Sequence, residues 1–478
     1  MRLLTTLLFS LILVASATAQ KKSKDVIAAL EAKQDKYAAI AMQIWNNPEL
    51  GYLEENSSKL LQSTLSDAGF KIKTGIADIP TAFTAEFGSG YPVIAILGEF
   101  DALPGVSQKA IASSEAAVEG GAGHACGHHL FGTASAAASI AVKDWLETTG
   151  TKGTIRFYGT PAEEGGAGKV YISRAGALDD VDAVLHWHPS SQNGAGATST
   201  LANQSAKFRF YGEASHAAAS PERGRSALDA VESMNYMVNM LREHVPMETR
   251  IHYVITHGGE APNVVPAFAE AFYYVRNPDV ANVKTIFAKV VKAAEGAALG
   301  TNTEMKYEII HGLYNVLPNE TLARIMHKNL ETVGGVKYSD KDTEFASEIL
   351  KTYPNMKVSL ESANEIAPFV VREKGTGGST DVGDVSWLVP TAGMGAATWV
   401  PGTSAHTWQA VAAGGTAIGI KGMMVAAKTI TLTAMDIFND PDVTKKAKEE
   451  LLKRRGADFV YEALIGDRNP PLDYRKKQ

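Results

Sequence analysis

Three short runs of apolar, largely β-branched residues constrain the fold of this chain most. They cover residues 93–97, 154–158 and 183–185. Each run is too short for a helix and is bounded by glycine, proline or a turn. Longer stretches with helical periodicity separate them, such as residues 130–145. Because strands joined through crossover helices pair in parallel, the sequence predicts an α/β domain with a mostly parallel sheet and helices on both faces.

The pattern of elements changes between residues 206 and 318. It reads strand, helix, strand, strand, helix, strand, over residues 207–211, 227–244, 250–256, 267–276, 283–297 and 304–311. This order is that of a ferredoxin-like unit. We therefore predict an inserted α+β domain at 206–318, with 20–205 and 319–478 as the two parts of the first domain. An apolar stretch rich in alanine and glycine, 412–433, predicts a buried helix in that first domain.

The first 19 residues have the pattern of a cleaved signal peptide. Arg2 precedes a mostly apolar run over residues 3–14, and an Ala-x-Ala sequence follows, which predicts cleavage after Ala19. That run is too short to span a bilayer, and no later stretch reaches about 18 consecutive apolar residues. We predict an exported protein, periplasmic or secreted, with no membrane span after cleavage. The alternative is a membrane-anchoring helix.

Composition excludes some partners. The chain has 46 Lys plus Arg against 52 Asp plus Glu and a net charge of -6. Because it also has no long basic run, it offers no electrostatic surface for a phosphate backbone, and nucleic acid is not an expected partner. Its single cysteine, Cys126, cannot form an intramolecular disulfide. That thiol is therefore expected either to be buried or to have a chemical role.

Residues able to carry chemistry follow the predicted strands, at the sheet edge where open α/β sheets bind ligands. They are Glu99 and Asp101, Cys126 and His128, Glu163 and Glu164, His186 and His188, and His406 near the C-terminus. Cys, His and Glu together suit Zn, Mn or Ni better than Ca or Mg. The alternative, a buried thiol among core histidines, would be favoured for a lone residue. The clustering predicts a metal site.

The adjacent pair Glu163 and Glu164 suggests a division of labour. Consecutive residues leaving a strand project in opposite directions, so one carboxylate can reach a metal while its neighbour faces the water held there. A metal lowers the pKa of that water, and the second carboxylate can take the proton and return it to the leaving nitrogen. The alternative is a solvated pair in a loop, which the position between Pro161 and Gly165 disfavours.

Several motifs together resemble one known family. They are GEFDALPG, GHACGHHLFG, GTPAEEGGAG, GEASHAAASPERGRSALDA, APNVVPA, STDVGDVSW and AHTW. Between about Asp25 and Asp440 the chain resembles the metal-dependent amidohydrolases of the aminoacylase and carboxypeptidase-G superfamily. It is most similar to the subgroup of hippurate and auxin-conjugate hydrolases, in which Cys replaces an acidic ligand.

The resemblance implies two divalent metal ions, Mn or Zn, with Ni also suited to the ligands. The implied ligands are Cys126, His128, Glu164, His406 and one of His186 and His188. The subgroup's Trp-His-Pro sequence favours His188, whereas more distant relatives would place the ligand at His186. Glu163 is the implied general base, and Asp101 stands beside the metals. Glu99 replaces a histidine ligand of other branches and has no assigned role. His129 is expected to orient a neighbouring ligand.

The inserted domain resembles the family's lid and dimerisation domain. The resemblance implies that His216 stabilises the oxyanion in its own or a partner's site. It also implies that Asn263 and Arg276 bind substrate, the arginine gripping a carboxylate. A homodimer is expected, and a requirement for a second, different protein chain is left open.

The implied reaction is hydrolysis of an amide between an acyl or aroyl group and an amino acid. Glutamate conjugates such as p-aminobenzoyl-glutamate are the favoured substrates. Dipeptides or other N-acyl amino acids are the alternative within the same chemistry. A different class, an exported metal- or peptide-binding protein without catalysis, would have no need of Glu163.

Overall fold

A computed structural model describes residues 24–476, so the predicted signal peptide lies outside the described residues. The strands are β1 (Lys71–Thr74), β2 (Phe83–Ser89), β3 (Val93–Gly98), β4 (Gly153–Gly159), β5 (Ala183–Ser190), β6 (Gly194–Ala195), β7 (Ala197–Thr198), β8 (Ala202–Tyr211), β9 (Arg250–His257), β10 (Phe268–Asn277), β11 (Glu304–Leu313), β12 (Val371–Arg372) and β13 (Thr391–Ala397). Seven of them form the main sheet in the order β1-β2-β4-β3-β5-β13-β6. The four central strands are parallel, and antiparallel pairs close both edges. The α/β prediction is therefore confirmed, as a mixed sheet.

Helices cover both faces of this sheet. The α-helices of the described residues are α1 (24–31), α2 (Gln34–Asn46), α3 (Glu55–Asp67), α4 (His128–Thr149), α5 (Glu163–Gly166), α6 (Gly168–Arg174), α7 (Ala227–Leu241), α8 (Val280–Thr301), α9 (Glu320–Val333), α10 (Asp340–Lys351), α11 (Val382–Leu388), α12 (Trp408–Gly414), α13 (Ala417–Asn439) and α14 (Asp442–Arg455). Two of them, α7 and α8, belong to the inserted domain and not to this sheet. α4 lies close to β3 because Gly132 has no side chain; a Cβ there would lie 2.7 Å from the Glu99 carbonyl oxygen. This contact brings the start of α4 to the end of β3.

The predicted buried helix at 412–433 is two helices, α12 and α13. Among the described residues, α13 is the one helix long and apolar enough to cross a membrane by length and composition. The share of its apolar window buried inside the protein is 89%. α13 packs against α4 and α9, so it is a core helix of the first domain.

The inserted domain is a four-stranded antiparallel sheet in the order β11-β8-β10-β9, with α7 and α8 packed on one face. This is the ferredoxin-like arrangement predicted from the sequence. β8 begins at Ala202, before the predicted boundary at 206, because residues 202–205 already pair with β10. β11 ends at Leu313, so the paired strands of this lid span 202–313.

One strand is longer than predicted, with a consequence for the site. β5 continues to Ser190, so His186, Trp187 and His188 lie within the strand instead of following it. Side chains alternate along a strand. Trp187 therefore faces the core, where Nε1 donates to the Phe131 carbonyl at 3.2 Å, and both histidines face the opposite side.

Candidate active site

Cys126 and His128 are presented by a tight turn at the start of α4. Gly127 between them has φ of 74°, a left-handed conformation that favours glycine. A Cβ on Gly127 would also lie 2.7 Å from the Pro189 ring, so only glycine lets this turn approach the end of β5. The approach brings Cys126 Sγ within 3.4 Å of His188 Nε2. Two segments that are distant in sequence thus meet at the sheet edge.

Two groups of three potential ligands share the cysteine. One contains Cys126, His128 and His188, and the other contains Cys126, Glu164 and His406, with the donor atoms of each group within 4.8 Å of one another. Buried atoms in these groups, including His128 Nε2 and Glu164 Oε1, have no well-directed hydrogen-bond partner among the described residues. Thiolate, imidazole and carboxylate donors suit a borderline divalent ion. The donor sets therefore fit divalent ions, and Cys126 is available to both groups.

Asp101 orients the ligand histidine. His128 Nδ1 donates to Asp101 Oδ1 at 2.9 Å, which leaves Nε2 facing the ligand groups. The other oxygen of Asp101 accepts the backbone N–H of Glu164 at 2.9 Å. Burial alone would lower the pKa of His128, but the carboxylates of Asp101 and Glu99 outweigh it and raise that pKa well above its ordinary value. Asp101 acts here through its neighbours, as a positioning residue.

Glu163 and Glu164 lie on the single turn of α5, not on an extended segment. The expectation that the pair leaves an extended strand is therefore wrong, because the chain turns at Ala162, where φ is 58°, before it reaches Glu163. Both carboxylates still reach the cluster, Glu164 beside His406 and Glu163 in a third group with Glu99 and His128. Burial, then the charges of Glu99 and Glu164, raise the pKa of Glu163 well above its ordinary value. A proton is therefore held there more firmly than on an exposed carboxylate.

Sequence reasoning missed a buried ion-pair cluster beneath the ligands. Lys169 Nζ lies 2.7 Å from Glu99 Oε1 and 2.7 Å from Asp381 Oδ1, and all three side chains are buried. The other oxygen of Glu99 lies 3.0 Å from His128 Nε2. Glu99, which had no assigned role, thus links Lys169 to the ligand histidine. The available signal was one lysine in the apolar α6, directly after the glycine-rich turn.

The two candidate histidines of β5 occupy different environments. His188 Nδ1 donates to the Pro189 carbonyl at 2.7 Å, so Nε2 faces Cys126. His186 instead packs over Gly393, where a Cβ would meet its ring at 2.2 Å. Burial lowers the pKa of His186 to about 4. Both rings line a cavity of about 300 Å³ that extends towards the connection to the lid. The geometry places His188, not His186, with Cys126.

His129 does not orient a ligand, so that expectation is wrong. Its Nε2 donates to the Gly414 carbonyl at 3.0 Å, and its ring packs 5.0 Å from that of His124. Successive residues of a helix face different directions, so His129 points towards α12 while His128 points towards the ligands. The orienting contact is made by Asp101.

Among the described residues, the three ligand groups include none of the predicted lid residues. His216 is exposed and forms a β-bridge with Val264, while the N–H of Ala217 donates to the Asn263 carbonyl at 3.0 Å. His216 and Asn263 are therefore neighbours on the lid surface. Arg276 lies on β10, with its guanidinium 5.4 Å from the Tyr274 ring centre. The roles expected of these three residues stay predictions.

Comparison with known proteins places this arrangement in a family. Residues 95–407 match the model of peptidase family M20/M25/M40. One component of the p-aminobenzoyl-glutamate hydrolase of Escherichia coli is 44% identical over 88% of this chain and 93% of its own length. The Xaa-Arg dipeptidase of Mus musculus is 30% identical over 87% of this chain and 89% of its own.

A solved structure, the aminobenzoyl-glutamate utilization protein from Klebsiella pneumoniae, has the same fold. It aligns with a TM-score of 0.58 at 16% identity, over 86% of this chain and 97% of that one. The family resemblance inferred from the motifs is confirmed. The chain belongs to the M20/M25/M40 peptidase family and is a hydrolase of amide bonds.

Proposed function

We propose that this enzyme hydrolyses the amide bond between an acyl or aroyl group and an amino acid, with p-aminobenzoyl-glutamate and related conjugates as leading substrates. The observation that carries the proposal is the pair of ligand groups sharing Cys126, with the half-buried Glu163 in a third group that shares His128. The 44% identity to the Escherichia coli hydrolase component supports the substrate class. The dipeptidase relatives support the alternative, a dipeptide.

In this proposal Cys126, His128 and His188 would hold one divalent ion, and Cys126, Glu164 and His406 would hold the second. Mn²⁺ and Zn²⁺ are the leading candidates, and Ni²⁺ also suits the donors. When bound, such ions lower the pKa of water and polarise an amide carbonyl. Burial raises the pKa of the Cys126 thiol. Because a thiol ligates as the thiolate, ion binding must release a proton there.

Glu163 is the proposed general base. It takes a proton from the attacking water and delivers it to the leaving nitrogen, a role that suits a carboxyl whose pKa is raised above its ordinary value. Burial alone would also raise the pKa of Glu164, but the adjacent His406 lowers it. The two adjacent glutamates therefore differ in pKa: Glu163 is suited to exchange protons, and Glu164 is suited to stay ionised.

The cavity beside His186 and His188 is proposed to receive one end of the substrate. Its volume of about 300 Å³ lies at the lower end of the range for small-molecule sites. Thr198 and Thr380 supply hydroxyl groups to its lining, and Val316 supplies apolar surface. Such a mixed lining suits a small acyl or aroyl group with few polar atoms.

A homodimer through the lid is part of the proposal. β9 is an edge strand of the lid sheet. Its Val254 and Ile255 are exposed by 57% and 44%, so apolar side chains stand beside unpaired backbone groups. A dimer formed there would carry His216 towards a partner. Light scattering of the purified protein at micromolar concentration, with and without Ile255→Lys, tests this. The homodimer proposal is wrong if the protein is a fully active monomer and His216 can be replaced without loss of activity. If activity instead appears only when a different protein chain is added, a heteromeric assembly replaces the homodimer.

A substrate screen tests the proposed activity. The mature chain, supplied with Mn²⁺ or Zn²⁺, is assayed for release of free amino acid from p-aminobenzoyl-glutamate, hippurate-like conjugates and Xaa-Arg dipeptides. Preference for the glutamate conjugate supports the proposal, and preference for a dipeptide replaces its substrate class. If the wild type hydrolyses none of them, the proposed substrate class is wrong; Glu163→Gln is the control for release of amino acid that does not depend on the proposed base.

The signal-peptide pattern supports the further proposal that the protein is exported. Mass analysis of secreted or periplasmic material tests cleavage after Ala19.

A further inference from the structure

The C-terminal strap, residues 456–476, follows α14 and crosses both domains before it ends beside the candidate active site. The Tyr461 hydroxyl donates to Asp384 Oδ1 of the first domain at 2.7 Å. Further along, Leu464 is buried in the lid core, and the next residue, Ile465, is buried in the core of the first domain. The strap is therefore fixed to both domains before it reaches the site.

The end of the strap binds the loop that carries the two glutamates. Tyr474 Oη and Arg475 Nη2 both donate to the Glu164 carbonyl oxygen, at 3.1 and 2.8 Å. The Tyr474 ring packs edge-on against Tyr52, with ring centres 5.6 Å apart. The Tyr52 hydroxyl in turn donates to the Gly166 carbonyl at 2.7 Å. The loop backbone is thus held by side chains remote from it in sequence.

This loop needs such support because its backbone is strained. Ala162 and Ala167, on either side of α5, have φ of 58°, a left-handed conformation unfavourable for residues with a Cβ. The N–H of Ala162 donates to buried Glu54 Oε1 at 2.8 Å, and that of Glu164 donates to Asp101 at 2.9 Å. These bonds fix the loop before Glu164. The strap fixes the peptide that follows it.

We infer that Tyr474 and Arg475 are positioning residues for the carboxylates of Glu163 and Glu164, so that the strap completes the candidate active site. The inference rests on the roles proposed above for those two carboxylates. Both strap residues act through the Glu164 peptide group, whose rotation would turn the adjoining side chains away from the ligand groups. Because the strap is also fixed to the lid, it links the loop to the position of that domain.

The experiment compares three variants of the full-length mature enzyme. Tyr474→Phe combined with Arg475→Met removes both donors and keeps the bulk of the side chains. We expect it to lower kcat and Mn²⁺ affinity, measured by competition with a chelator, by about 10- to 100-fold each, as for other groups that hold metal ligands in place. KM should change by less than about twofold, because substrate contacts are kept. Arg475→Lys retains a donor, so this variant should keep most of the kcat and Mn²⁺ affinity that the double variant loses. A chain ending at Lys476 should match the wild type in both quantities.

Hydrogen exchange of the amides in residues 162–168 gives a readout independent of activity. We expect faster exchange there in the double variant. The inference is overturned if the double variant keeps wild-type kcat, Mn²⁺ affinity and exchange, or if only its melting temperature falls, which would indicate a purely structural role. If the wild type hydrolyses no substrate in the panel, the proposed function fails, whereas Mn²⁺ affinity and exchange still decide this inference.

Discussion

Replacing Lys169 by methionine should destabilise the fold far more than the same replacement in a surface ion pair. Lys169 Nζ lies 2.7 Å from Glu99 and 2.7 Å from Asp381, and none of the three side chains is exposed by more than 1%. Methionine keeps the length of the side chain but removes the cation between two carboxylates. Breaking a buried ion pair in this way costs about 3–5 kcal/mol, because the remaining charge stays buried. Two carboxylates lose their partner here, so we expect a value in the upper half of that range.

Urea unfolding at neutral pH and a fixed metal concentration measures the effect. Lys33→Met is the matched control, because Lys33 pairs with Asp144 at 3.0 Å while both side chains are more than 40% exposed. Such a pair contributes less than about 1 kcal/mol. Adding Asp381→Asn to Lys169→Met should recover part of the loss, since asparagine has no charge to bury. The reasoning is refuted if Lys169→Met costs no more than the control, or if the double variant is less stable than the single one.

Three further predictions concern the site and its surroundings. Glu163→Gln should keep bound metal but lower turnover by about 10²- to 10⁴-fold. Glu164→Gln should instead lose metal, and excess metal should restore part of its activity. If the two variants show the opposite behaviour, the roles of Glu163 and Glu164 are exchanged. Cys126→Ala removes the ligand common to both groups, so elemental analysis should show less of both ions, and unchanged metal content would contradict the shared thiolate. Burial raises the pKa of Asp384 from 3.8 to about 7. The folded state therefore keeps a proton that the unfolded chain releases, and the free energy of unfolding should fall between about pH 4 and pH 7. Asp384→Asn should remove this pH dependence, so its free energy of unfolding should exceed that of the wild type by up to about 4 kcal/mol at pH 8 and by little at pH 4. Urea unfolding at the two pH values measures this difference.

The parts of the site that the sequence predicted are those with local signals. Short apolar runs followed by Glu or His predicted where the strands end, and the parallel pairing of those strands brought their ends together. The strand boundaries were less accurate. His186 and His188 were placed after β5 although they belong to it, because a strand buried on one face and lined by histidine on the other does not read as apolar.

The missed parts depend on contacts between residues far apart in the chain. Lys169 pairs with Asp381, which lies 212 residues away, and Arg475 reaches Glu164 across 311 residues. Neither contact produces a periodic pattern or a motif. A buried lysine is also rare without a partner, and that partner cannot be identified from one sequence. The strap gives no local signal either, since its anchoring side chains are scattered among polar residues.

The charges at this sheet edge explain why one small volume needs so many fixed contacts. Five buried or largely buried carboxyl groups lie around the ligand groups, those of Glu99, Asp101, Glu163, Glu164 and Asp381. Lys169 is the one lysine paired within this cluster among the described residues. Protons supply part of the remaining positive charge, since the pKa values of His128 and Glu163 are raised. Divalent ions held by Cys126 and its neighbours would replace those protons, so metal binding and the protonation state of Glu163 would be coupled through the same buried charges.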